Sequence, residues 1–352
     1  MTTPARWERG RLEPVPWQRM AWVVWRQHRG TWIGIVAAFG LAALAVWLVG
    51  LHLHQAYAPI ASCHPASSSV CQYDRQQFAL QNYAGLPSLL PVLLQVMAPL
   101  MGALAGAPLL ASEFETGTFR YAWTQGFGPA RWVLAQVIPF AALMAGAGVA
   151  FSQLIAWAYH PIVEEAQLQT PLTPTFFDLR GVDLAAWTVF AFALGVLAGA
   201  LLRRLMPALL ATLALWTGLA VVTASYLRPH YAAPLHTHGQ VGPLAWILSQ
   251  QWMRHGRPVT LATVSRILHH QVHLQVNGPF GVHFSTSQGA GGGFQNASPI
   301  VGYLVRHGFK LWTVYQPASR FGLFQTIEGT WLLALSLLLL AAVVWRVSHR
   351  GG

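Results

Sequence analysis

Six stretches of this chain stay apolar over the length needed to cross a bilayer, and the polar residues collect between them. A helix rises 1.5 Å per residue, so a hydrocarbon core about 30 Å thick takes roughly 20 residues. The stretches are Thr31–Leu51, Leu86–Ala111, Trp132–Tyr159, Ala185–Leu202, Met206–Leu227 and Phe321–Val347. Only Arg203, Arg204 and Leu205 part the fourth from the fifth, which reads as a tight hairpin at the membrane face. Ahead of the first stretch, Pro16–Arg29 sets Trp17, Met20, Ala21 and Val24 on one helical face and Arg19 and Arg26 on the other. That is the pattern of an interfacial helix, which either anchors the N-terminus or also grips a cytoplasmic partner. Within the long segment 228–320, Thr260–Gln271 reads as a helix and Leu311–Gln316 as a strand, while the Gly289–Gly293 run marks a flexible turn.

The expected fold is therefore an all-α polytopic membrane protein with six transmembrane helices, an N-terminal interfacial helix and an extracellular domain between helices 5 and 6. Its divisions are a cytoplasmic N-terminus, 1–30; helices 1 to 5, 31–227, with an inner coupling loop at 112–131; the extracellular domain, 228–320; and helix 6 with a cytoplasmic tail, 321–352.

Composition agrees. The chain is 54% hydrophobic and 9% charged with a mean hydropathy of +0.43, whereas a soluble domain carries about a quarter charged residues. Disorder, a coiled coil and a small disulfide scaffold are excluded on the same figures. The net charge of +11 would suggest nucleic acid in a soluble protein, but membrane topology explains it here and no nucleic-acid partner is expected. Arg6, Arg9, Arg11, Arg19, Arg26, Arg29, Arg120, Arg131, Arg203, Arg204, Arg346 and Arg350 all fall on one side, which the positive-inside rule makes the cytoplasm. The short loops opposite, 52–84 and 160–184, carry only Arg75 and Arg180. Both termini are thus expected inside, in a multi-pass protein of the plasma membrane. Lys310 is the sole lysine, and the Ala, Gly, Trp and Arg excess suggests a GC-rich bacterial genome. The first apolar run is span-length and sits behind a polar, Arg-rich stretch, so it reads as a retained span rather than a cleaved signal peptide.

Cys63 and Cys71 are the only cysteines, and both lie in the first outer loop. An oxidising compartment favours a disulfide between them; two free thiols are the alternative. Neither is expected to be catalytic.

The loop between the second and third spans holds Glu113, Glu115, Arg120, Trp123, Gln125 and Arg131 among aromatics and glycines. Arginine and aromatics are enriched at interface hot spots, which suits docking, although topology alone also places arginine and aromatics in inner loops. Here a resemblance enters. The segment resembles the cytosolic loop of actinobacterial ATP-binding-cassette (ABC) type-2 permeases, with a pattern close to E-x-E-x-G-T-x-R-x-x-W-T-Q followed by R-x-x-W. Glu113, Glu115, Gly117, Thr118, Arg120, Trp123, Thr124, Gln125 and Arg131 stand where that pattern needs them, although Arg131 and Trp132 are adjacent here. A second similar stretch opens the last span: Tyr315 to Phe321, Phe324-Gln325 and Ile327-Glu328, with Gly322 where relatives have another aromatic.

The resemblance implies the permease of an exporter: a homo- or heterodimer of six-span subunits, energised by two separate cytoplasmic ATPases that hold ATP and Mg and grip the inner loops. No cofactor is then expected in this chain. The phosphate loop G-x-x-x-x-G-K-[ST] needs a lysine, and Lys310 in Gly308-Phe309-Lys310-Leu311 lacks the glycine spacing. The substrate implied is amphipathic, a drug, an antibiotic or a lipid.

Within the spans, Gly102-x-x-x-Gly106 and Gly195-x-x-x-Gly199 suit close helix approach. Glu328 is the one acid inside a predicted span, and intramembrane carboxylates usually face protein or water. It either borders a substrate path or gate, or bonds a neighbouring helix. Gln325, Gln95, Gln153, Trp157 and Thr217 are candidates for the same path. His269, His270 and His273 have helical metal-ligand spacing, but no H-E-x-x-H accompanies them, so no metal is expected. A membrane-embedded enzyme acting on a lipid-linked substrate is the rival reading, yet 228–320 contains no Asp or Glu to serve such chemistry. A non-transporting sensor or assembly subunit is a third.

Overall fold

The computed structural model describes residues 17–63, 68–116, 129–165, 169–238, 241–242, 244–259, 305 and 308–350. The expected helix at 260–271, the glycine run, and His269, His270 and His273 lie outside these residues, as do Arg120, Trp123 and Gln125.

Seven long helices carry the fold: α1 Trp17–Ala61, α2 Ser69–Asn82, α3 Leu86–Thr116, α4 Pro129–Ala158, α5 Asp183–Leu202, α6 Leu205–Val222 and α7 Phe321–Arg350. All but α2 are long and apolar enough to span a membrane. The predicted N-terminal segment is helical, but it runs without a break into the first span instead of forming a separate interfacial helix. Helix α2 falls where a loop was expected; Cys63 and Cys71 are disulfide-bonded, with Cα atoms 5.7 Å apart, tying its first turn to the end of α1.

Helix α5 is the axis of the bundle and packs against α3, α4, α6 and α7. The share of its apolar window that is buried reaches 89%. Small residues make this possible, and the two glycine motifs meet each other across the α3–α5 contact. A Cβ at Gly199 would come 2.6 Å from the Ala107 carbonyl oxygen, and one at Gly195 3.0 Å from the Ala107 nitrogen. Neither backbone could approach as it does with a larger residue there.

Between α6 and α7 the chain builds a four-stranded antiparallel sheet in the order β1-β4-β2-β3, from β1 Leu235–Thr237, β2 Trp246–Arg254, β3 Arg257–Val259 and β4 Phe309–Gln316. The predicted strand Leu311–Gln316 is the core of β4, paired on both sides. Gln316 then donates from Nε2 to the carbonyls of Pro229 (3.1 Å) and Ala232 (2.8 Å), fastening the sheet to the end of α6.

Candidate functional site

The polar interior sits where α5, α6 and α7 converge toward the sheet. Past Val222 the helix α6 widens into a π turn, Thr223–Leu227, and then a 3-10 turn, Arg228–His230. The wider turn changes which residues point inward, and Arg228 ends up 1% exposed. Its Nε donates to Glu328 Oε2 at 3.0 Å and its Nη2 to Glu328 Oε1 at 2.7 Å. The same Nη2 donates to Asp178 Oδ1, while the guanidinium lies 4.1 Å over the Phe177 ring.

Glu328, fully buried on α7, also accepts from Trp187 Nε1 at 3.0 Å and from the Tyr231 hydroxyl at 3.2 Å. Enclosing a carboxylate without such donors would cost several kcal/mol or more in lost hydration. Gln325, one turn earlier, caps α5: its Oε1 accepts from the Val182 and Asp183 N–H groups (2.9 and 3.2 Å), two of the donors a helix start leaves unpaired. Its Nε2 donates to the Phe177 carbonyl at 3.0 Å. Gly181, at φ +65°, leaves room for that side chain; a Cβ there would collide with it.

Asp178 lies outside the spans, in the 169–182 connection, with 27% of its side chain exposed. Burial pushes its carboxyl up to about 6, against the pull of Arg228 and with a further push from Glu328. Burial and Glu328 likewise raise the Tyr231 phenol.

Asp178 also borders a cavity of about 350 Å³ between α3, α5 and α6. Gln95, Pro99, Trp187, Trp216 and Thr217 share its wall. Gln95 Nε2 donates to the Pro174 carbonyl at 2.9 Å, and Pro99 has no N–H to give the Gln95 carbonyl four residues back. Trp216 Nε1 donates to the Trp187 carbonyl at 3.3 Å, and the two rings meet edge to face, 5.2 Å apart. The volume suits one small drug-sized molecule.

Of the predicted path residues, Gln95 and Thr217 border this cavity. Glu328 stands behind its wall, bonded to Trp187, and Gln325 is the α5 cap. Gln153 and Trp157 are exposed on α4 and do not border it; Trp157 stacks on His54 of α1 at 4.9 Å. The sequence reading did not single out Asp178, Asp183 or Arg228. A signal existed for one of them, since a carboxylate two turns inside a span needs a cation at like depth, and Arg228 ends the neighbouring span.

At the opposite end of α3, Glu113 is buried and Glu115 exposed. The Leu205 N–H, at the start of α6, donates to Glu115 Oε2 at 3.4 Å, and Arg203 lies 5.6 Å over the Phe114 ring. Arg131 is exposed in the first turn of α4. Among the described residues no group of His, Cys, Asp or Glu could hold a metal ion.

A family described as ABC-2 membrane transporter related matches residues 36–228, more than half of the chain. The chain belongs to that family. No curated protein and no solved structure matches it. As an ABC-2 related permease it is a multi-pass membrane component of a transporter. The family match runs from within α1 to the turn just past α6 and takes in all three cavity helices and Arg228, whereas Glu328 lies beyond it.

Proposed function

We propose that this permease is the membrane-spanning subunit of an ABC exporter, moving an amphipathic substrate with energy from two separate cytoplasmic ATPases. ATP and Mg belong to those partners, and a second permease subunit completes the path. Both termini and the loop 112–131 face the cytoplasm. The chain itself carries no ATPase chemistry.

One observation carries the reading. Helix α3 runs from the cavity wall at Gln95 and Pro99 to Glu115, about 30 Å at 1.5 Å per residue, and there touches the start of α6, which forms another wall. A displacement of loop 112–131 would therefore reach the walls of the cavity through α3 and α6, while pulling on α4 through Arg131.

Glu115, Arg120, Gln125 and Arg131 would set the register of the ATPase on the loop and Trp123 would fill an apolar groove in it, while Glu113, buried at the end of α3, would act from behind them. Affinity purification of the tagged permease from its native membrane tests this. Wild type should retain an ABC ATPase; Trp123→Ala and Arg120→Ala should each weaken it on the order of thirtyfold, the effect of losing an interface hot spot worth about 2 kcal/mol. Wild-type retention in both variants would contradict the docking assignment.

A further inference from the structure

We propose that the cavity between α3, α5 and α6 binds a hydrophobic organic cation, held by the Asp178 carboxylate and the indole rings of Trp187 and Trp216. The inference rests on the permease reading, whose substrate class it narrows.

Size, lining and charge point the same way. The cavity holds one small molecule, and most of its wall is apolar, including Val96, Leu184 and Val221. A small hydrated metal cation would gain nothing from such a wall, since no ring of oxygens replaces its water. A flat or globular organic cation would bury its apolar body there and set its charge against the indoles, an attraction that grows when water is excluded.

The charge balance decides the sign. Arg228 is shared between two carboxylates, those of Asp178 and Glu328. Glu328 is enclosed by its own donors, but Asp178 keeps part of its side chain open and stands at the cavity wall. In a low-dielectric interior these two carboxylates against one guanidinium repel an anion and are relieved by a monovalent cation. Burial, which lifts the Asp178 carboxyl to about 6, still leaves it ionised at neutral pH.

The test is equilibrium binding of tetraphenylphosphonium to the full chain in lipid nanodiscs, with tetraphenylborate, an ion of the same shape and opposite charge, titrated in a separate sample. Saturable binding of the phosphonium is expected, at least tenfold weaker in Asp178→Asn, with no saturable binding of the borate. Thr217→Trp places bulk in the cavity without touching the charge cluster, and should abolish binding while the melting temperature stays put. That variant keeps the inference falsifiable if Asp178→Asn, which also alters a partner of Arg228, does not fold. No saturable binding by wild type, saturable binding of the borate at like affinity, or wild-type affinity in a folded Asp178→Asn or Thr217→Trp would each overturn it. The assay needs no ATPase, so the two readings fail separately. A chain that retains its ATPase but not the phosphonium loses only the substrate class; one that binds the phosphonium but no ATPase loses the exporter.

Discussion

Helices α5 and α6 are joined by a hairpin and match in mean hydropathy, 2.1 and 2.0, yet 89% of the apolar window of the first is buried and 11% of the second. Helix α5 is gripped along its length by neighbours that approach over Ala and Gly. Helix α6 is held near its ends, by Ala208 and Thr212 at one and by Thr223 and Arg228 at the other, with Trp216 between. Met206, Leu210 and Leu215 face outward. Hydropathy therefore reports that a helix belongs in lipid, whereas side-chain size reports where in the bundle it sits. Packing fixes the first helix; directional polar bonds fix the end of the second.

The comparison can be broken at several points. The largest effect is expected from Glu328→Ala, which removes the carboxylate that Arg228 and Trp187 share and leaves a buried guanidinium short of a partner. Losing one member of such a pair costs about 3–5 kcal/mol, read as a fall in the thermal unfolding midpoint in detergent. Replacing both members by apolar residues, Arg228→Met with Glu328→Leu, should recover most of that loss. A double variant as unstable as the single one would mean that the pair does not hold the end of α6.

Gly199→Val tests the packed helix. Its new side chain must enter the Ala107 backbone, and overpacking of this kind costs roughly 1–3 kcal/mol. A midpoint unchanged from wild type would mean that the Gly199 and Ala107 backbones do not meet at this close range. Gly218→Ala is the matching change on α6, where nothing lies within 4 Å of a new Cβ; removing a mid-helix glycine should stabilise by about 0.5–1 kcal/mol or leave the midpoint unmoved.

A pH series is the mildest probe. The groups around Asp178 are Arg228 at the end of α6, Glu328 on α7, Asp183 at the start of α5 and Tyr231 beyond α6; Arg180, nearby in sequence, stacks on Phe321. The Asp178 carboxyl is raised to about 6, so it carries its charge above that pH and loses it below. Phosphonium binding should strengthen as pH rises from 5 to 7 and be flat over that range in Asp178→Asn. A wild-type profile that is flat, or that falls with rising pH, would remove Asp178 from the site.

Much of this was legible in the sequence. Six apolar runs gave six helices because length and apolarity set that outcome by themselves, and two cysteines eight residues apart met because little chain separates them. The strand at Leu311–Gln316 showed its β-character locally. Helix α2 was not legible, since Ser69–Asn82 is polar and short and its order comes from the disulfide and from Phe78 packing on Tyr57. Nor was the charge cluster. Arg228 and Glu328 are 100 residues apart, and Asp178 and Asp183 sit at the edge of an apolar run; nothing in a single chain says that such residues meet. Gln153 and Trp157 resembled Gln95 in sequence, and only the facing of α4 toward α1 separates them from the cavity.

The central claim, an ATPase-driven permease, is tested most directly by ATP turnover in the purified complex of this chain with its ATPase in lipid. The account predicts hydrolysis that resides in the partner, is absent from the isolated permease, and loses its stimulation by transported substrate when Trp123→Ala or Arg120→Ala is introduced, with membrane insertion intact. ATP hydrolysis that stays with the permease after every ATPase is removed, or stimulation unchanged in both loop variants, would contradict it.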